Sequence, residues 1–141
     1  MELRYVPGNP AAVTGPDPDA HGAPPSADRE PARRPEDLSR FFIERANAGD
    51  LEGLVALYEP HAVLALPTGD VARGKQAIRD AFRPMLAEQP VFTAGHGKPA
   101  LFNGDLALTW SRLPGGATAE IARRQPDGTW LWTVDQPYIL A

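Results

Sequence analysis

The chain has no cysteine, only three histidines and only two lysines in 141 residues. Without cysteine there is no disulfide, no thiolate metal site and no cysteine nucleophile. The histidines, His21, His61 and His96, lack metal-ligand spacing, so neither a bound metal nor a cofactor is expected. Fourteen Lys+Arg against eighteen Asp+Glu leave a net charge of −4, which argues against nucleic acid or an anionic membrane as partner. No apolar run approaches the ~18 residues of a membrane span, and the opening MELRYVPGNP has no signal-peptide apolar centre. A cytoplasmic protein is the expectation. A phosphate loop, a dinucleotide fingerprint and a G-x-S-x-G elbow are also missing. Carboxylates and one imidazole remain for chemistry.

Proline is plentiful but unevenly spread. Eight of the sixteen lie in residues 1–35, where Tyr5 is the only aromatic. A segment with so little to bury cannot offset its ordering entropy, so residues 1–34 read as a flexible Pro/Ala-rich arm and 35–141 as the domain.

From Pro35 the pattern changes. Pro35-Glu36-Asp37 suits a first helical turn, and Leu38, Phe41, Phe42 and Ala46 follow at helical spacing up to Gly49. Asp50 is placed to cap a short second helix carrying Leu51, Leu54, Val55, Leu57 and Tyr58, stopped by Pro60. A strand is predicted over 62–67, a turn at Thr68-Gly69-Asp70, and a third helix over 74–87, with Pro84 kinking it or ending its regular part. Beyond Pro90 the period becomes two. Strands are predicted over 91–97, 98–102, 106–113, 117–124 and 129–138, with turns at Asn103-Gly104, Gly115-Gly116 and Asp127-Gly128. Helices followed by an antiparallel meander read as α+β, and a curved sheet over three helices leaves a cavity suited to a small hydrophobic molecule.

The segment 47–58 (NAGDLEGLVALY), Pro67-Thr68-Gly69 and Arg73-Gly74-Lys75-Gln76-Ala77-Ile78 resemble the first half of the nuclear transport factor 2-like superfamily. The ending Arg123-Arg124-Gln125-Pro126-Asp127-Gly128-Thr129-Trp130 with Val134-Asp135-Gln136-Pro137 is similar to a SnoaL-like, domain-of-unknown-function bacterial subgroup. The resemblance covers about residues 36–139. It implies a cone-shaped fold, three helices packed on a strongly curved antiparallel sheet, and a homodimer through the outer face of that sheet. It implies little about activity, because this fold hosts unrelated chemistries. Carried over residue by residue, the ketosteroid isomerase member's oxyanion-hole tyrosine falls on Phe42 and its catalytic aspartate on Leu66. Its protonated aspartate falls on Glu120. With base and tyrosine gone, isomerisation of steroids by the family mechanism is not expected.

Three catalytic candidates follow. Glu120 shares a strand side with Thr118 and Ala122; facing a cavity it would be a desolvated acid, facing solvent a partner of Arg123 or Arg124. Asp135 alternates with Leu131 and Thr133, opposite Trp130, Trp132 and Val134. In so apolar a run it should be hydrogen-bonded, ion-paired or functional. His96 alternates with Phe92 and Ala94 and could assist; His61 reads as a partly exposed residue at a helix–strand junction. Phe42, Tyr58, Leu66, Phe82, Met85, Trp110 and Trp132 are expected as cavity wall or core. Arg112 is either an exposed strand end or a counter-ion. The functional expectation is cofactor-independent acid–base chemistry of cyclase, isomerase or dehydratase type on a hydrophobic metabolite. The alternative is a non-catalytic ligand-binding or dimeric association module. Arginine outnumbers lysine twelve to two, which points to a GC-rich bacterial source and a natural-product pathway.

Overall fold

The computed structural model describes residues 29–139. Most of the expected arm lies outside the described residues. Its last part, 29–34, is held against the domain rather than loose. Arg29 places Nε and Nη2 on the two carboxylate oxygens of Asp50 at 2.8 and 2.6 Å. Arg45 Nη2 donates to the Glu30 carbonyl at 2.8 Å, the Trp130 amide donates to the Ala32 carbonyl at 2.9 Å, and the Ala32 side chain is buried. Composition could not place this boundary, because what anchors the segment is an acid and an aromatic strand distant in sequence.

Helix α1 spans Asp37–Asn47 and buries Leu38, Phe41, Phe42 and Ala46. Gly49 follows at φ +70°, a left-handed conformation open to glycine at no steric cost. Asp50 then caps α2 (Leu51–Val55) by accepting the Gly53 amide at 3.1 Å. Tyr58, expected on this helix, instead opens strand β1 (Tyr58–Ala65), which takes in Pro60 and His61 ahead of the expected start at 62. The turn 66–70 leads into β2 (Val71–Arg73), a strand too short to leave a period in the sequence. Helix α3 occupies Gly74–Ala87 and buries Ile78 and Phe82. It continues past Pro84. The hydrogen bond that Pro84 cannot donate would have gone to the carbonyl of Asp80, and both residues lie on the exposed face where water is available.

Strands β3 (His96–Gly97), β4 (Leu101–Asn103), β5 (Leu106–Leu113), β6 (Gly116–Arg124) and β7 (Trp130–Gln136) follow. The sheet order is β2-β1-β7-β6-β5-β3, with β4 also on β5. The later strands pair antiparallel as expected, but β1 joins β7 in parallel, so the sheet is mixed. This α+β cone keeps its aromatic core between α1, α3 and the concave face of the sheet. Phe42 meets Phe82 and Phe92 edge-on at 5.6 and 5.7 Å, and Tyr58 lies 5.2 Å from Trp132.

One irregularity sets up everything that follows. Ile121 pairs with Val134 but Ala122 pairs with Trp132, which leaves Thr133 as an extra residue in β7. Such a bulge reverses the alternation of the strand beyond it. Trp130 and Trp132 point inward, Val134 points outward, and Asp135 returns to the buried face. The expected grouping of Asp135 with Leu131 and Thr133 is thereby corrected: it lies on the same side as the two tryptophans.

Candidate functional site

Strand register places a polar row across the concave face. Thr109 on β5 pairs with Glu120 on β6, Glu120 with Asp135 on β7, and Asp135 with Leu64 on β1. The next inward pair is Ser111 with Thr118. Glu120 is 1% exposed and Asp135 2%. Directly paired residues on one face have Cβ atoms roughly 4.5–5.5 Å apart, so the two carboxyl groups are neighbours in a place without water.

Their partners are hydroxyls. Thr109 donates to Glu120 Oε1 at 2.7 Å, and the Thr118 hydroxyl also serves that carboxylate. Tyr58 donates to Asp135 Oδ2 at 2.6 Å. The other oxygens, Glu120 Oε2 and Asp135 Oδ1, have no hydrogen-bond partner among the described residues. Burial pushes Glu120 up to about 6, against the pull of the Thr109 and Thr118 hydroxyls. Burial and then the Glu120 charge push Asp135 up to about 8, partly opposed by the Tyr58 hydrogen bond. Burial, with the Asp135 charge behind it, raises Tyr58 well above the ordinary phenol range. Near neutrality the facing carboxyls therefore hold about one proton between them. One carboxyl can donate while the other accepts.

Asp135 is also the polar end of a cavity of about 430 Å³ between α3, β1 and the sheet. Phe42, Leu64, Leu66, Phe82 and Met85 form its apolar wall, with Glu88 and Phe92 from the segment after α3 and Pro137 and Tyr138 from the segment after β7. A separate groove of about 620 Å³ runs between the outer side of α1 and residues 94–99, and it reaches Thr109. The carboxyl pair thus lies between two openings: Asp135 borders one, and the partner of Glu120 borders the other.

Other sequence candidates fall elsewhere. Tyr58 and Trp132 are fully buried behind the wall. Trp110 and Arg112 point to the convex face, because Thr109 and Ser111 between them point inward. His96 pairs with Arg112 and is exposed on the same side. Its expected alternation with Phe92 fails because the strand begins only at His96, so parity does not carry across residues 92–95. His61 is exposed. Thr109, Ser111 and Tyr138 join the site without a sequence expectation, and Thr118 joins it as a hydroxyl partner of Glu120. The available signal was the small polar phase of 107–111, which is masked by the larger Leu106, Leu108 and Trp110. Among the described residues no cluster of three or more His, Asp or Glu side chains is placed to hold a metal ion. No helix among them is long and apolar enough to cross a membrane.

Comparison with solved structures shows the same fold. A candidate calcium/calmodulin-dependent protein kinase type II association domain from Thiobacillus denitrificans superposes with TM-score 0.65 at 16% identity, over 77% of this chain and 96% of that one. A ketosteroid isomerase-like protein from Erwinia carotovora atroseptica gives 0.56 at 19% identity, over 71% and 88%. A candidate dehydratase of the nuclear transport factor 2-like family from Streptomyces avermitilis gives 0.54 at 18%, over 71% and 89%. No curated protein matches. The SnoaL-like domain model matches residues 38–139, the region that holds the helices, the sheet and both buried carboxyls; the chain belongs to the SnoaL-like family.

Proposed function

We propose that the 430 Å³ cavity binds a small hydrophobic metabolite and that Asp135, backed by Glu120, exchanges a proton with it without a cofactor. The observation that carries this reading is the cross-strand carboxyl pair, buried to 1 and 2%, with one oxygen of each unpartnered and Asp135 at the cavity wall. Two carboxyls held this way cost folding energy, a cost that a purely structural role does not require. A general probe of a desolvated carboxylate base is 5-nitrobenzisoxazole, whose ring opens when its carbon-bound proton is removed and the N–O bond breaks. The wild-type rate should rise to a plateau above about pH 8 as Asp135 ionises, and Asp135→Asn should abolish it. A rate equal to that of free acetate would refute the catalytic reading and leave a binding module.

A second observation supports association of two copies. On the convex face, Leu101, Leu108, Ile121, Val134 and Val63 are successive register partners and form one apolar row across five strands. Leu101 is 62% exposed and Val134 39%, an unusual state for a continuous apolar stripe. A second copy stacked sheet to sheet would cover it. Ile121→Lys should convert a dimer to a monomer in sedimentation; a wild-type chain that sediments as a monomer at micromolar concentration would refute this reading.

A further inference from the structure

Resting on the reading of the 430 Å³ cavity as the ligand site, its lining also indicates the charge of the ligand. Its ionisable side chains are Asp135, Glu88 and the Tyr138 phenol; no Lys, Arg or His lines it among the described residues. Behind Asp135 stands a second buried carboxyl, Glu120, whose described partners are likewise hydroxyls and not cations. Asp135 itself lines the cavity, and its Oδ1 is a buried atom with no hydrogen-bond partner among the described residues. Three phenylalanines, Phe42, Phe82 and Phe92, line the same cavity. A phenylalanine ring attracts a cation placed over its face, and a low-dielectric site strengthens the attraction of a carboxylate for an ammonium. Among the described residues of the lining, an anionic ligand would meet acids and no cation.

We propose that the cavity takes an organic ammonium, a hydrophobic molecule bearing one protonated amine that pairs with the Asp135 carboxylate beside the phenylalanine side chains. On binding, the ammonium takes the place of the Asp135 proton, which leaves to solvent, and the site goes from a carboxylic acid to a carboxylate–ammonium pair. The groups facing Asp135 are Tyr58 from β1, Glu120 from β6, and Glu88 and Tyr138 at the mouth. None is a cation that the ligand would have to displace.

The test uses the full chain and three probes of one shape: benzylamine, benzyl alcohol and benzoate. Binding is read from the methyl resonance of Met85, one of two methionines and part of the cavity wall. At pH 8 benzylamine should bind at least tenfold more tightly than benzyl alcohol, and benzoate should not bind. Because one proton is released, benzylamine affinity should fall roughly tenfold per pH unit from pH 8 to pH 6, whereas benzyl alcohol affinity should not. Calorimetry at pH 7 in buffers of different ionisation enthalpy should show about one proton released. Asp135→Asn should erase the preference, and Glu120→Gln should shift the pH dependence downward by removing the neighbouring charge. Benzyl alcohol binding as tightly as benzylamine at pH 8 would overturn the proposal and leave the hydrophobic pocket standing. So would benzylamine affinity that is flat or rising toward pH 6. No shift of Met85 with any probe would overturn the pocket as well.

Discussion

Replacing Asp135 by asparagine should make the protein more stable at pH 8 and not at pH 4. In the unfolded chain Asp135 and Glu120 ionise near 3.8 and 4.5, whereas in the fold they do so near 8 and 6. Between those limits the unfolded chain has lost protons that the fold still holds. Stability is therefore complete below the unfolded values and falls as pH rises, until the folded groups ionise too. Each pH unit per proton costs about 1.4 kcal/mol, so the roughly four units at Asp135 amount to about 6 kcal/mol and the shorter window at Glu120 to about 2. Asparagine keeps the shape and removes the larger contribution. Urea unfolding followed by tryptophan fluorescence, with Trp130 and Trp132 buried in the core, supplies the readout. The wild-type curve should fall continuously to about pH 8, and that of Asp135→Asn should level off near pH 6. The variant should gain several kcal/mol at pH 8 and nothing at pH 4. Parallel curves for the two proteins would refute the placement of Asp135 in the dry interior.

Tyr58→Phe strips Asp135 Oδ2 of its donor; the expected cost is about 1–3 kcal/mol, and carbon-detected titration should move Asp135 further up, since the lost bond had lowered it. Phe82→Ala removes a ring packed 5.6 Å from Phe42 and 5.9 Å from Tyr58 and should cost about 3–5 kcal/mol in urea unfolding. Arg29→Ala breaks the two-point hold on Asp50 and should cost about 1–2 kcal/mol, with limited proteolysis reaching residues 29–34 sooner.

Much of the fold was legible because its signals are local. Helix α3 begins and ends where the apolar spacing says, and the Asn103-Gly104 and Asp127-Gly128 turns lie between the strands they were expected to join. Glu120 shares its face with Thr118 and Ala122, as alternation along β6 requires. The same rule fails on β7. One extra residue at Thr133 reverses the parity, so no count along the strand could place Asp135 beside Trp132 and opposite Glu120. On β5 the rule gives the correct phase but hides which phase is inside. Leu106, Leu108 and Trp110 face outward and the small Ala107, Thr109 and Ser111 face the core, the reverse of the usual expectation for a half-buried strand.

The sequence by itself determined the residue types available for chemistry: no thiol, few imidazoles, and carboxyls set among apolar strands. It also carried the order of helices and strands and the resemblance that the family model confirms. Only the tertiary structure decided which carboxyls meet, which of them borders the cavity, and that His96, Trp110 and Arg112 stand on the far side of the sheet. Side-chain alternation is a property of a few neighbouring residues. Strand register, bulges and the covering of each face depend on contacts between residues far apart in the chain, and those contacts set the two buried carboxyls side by side.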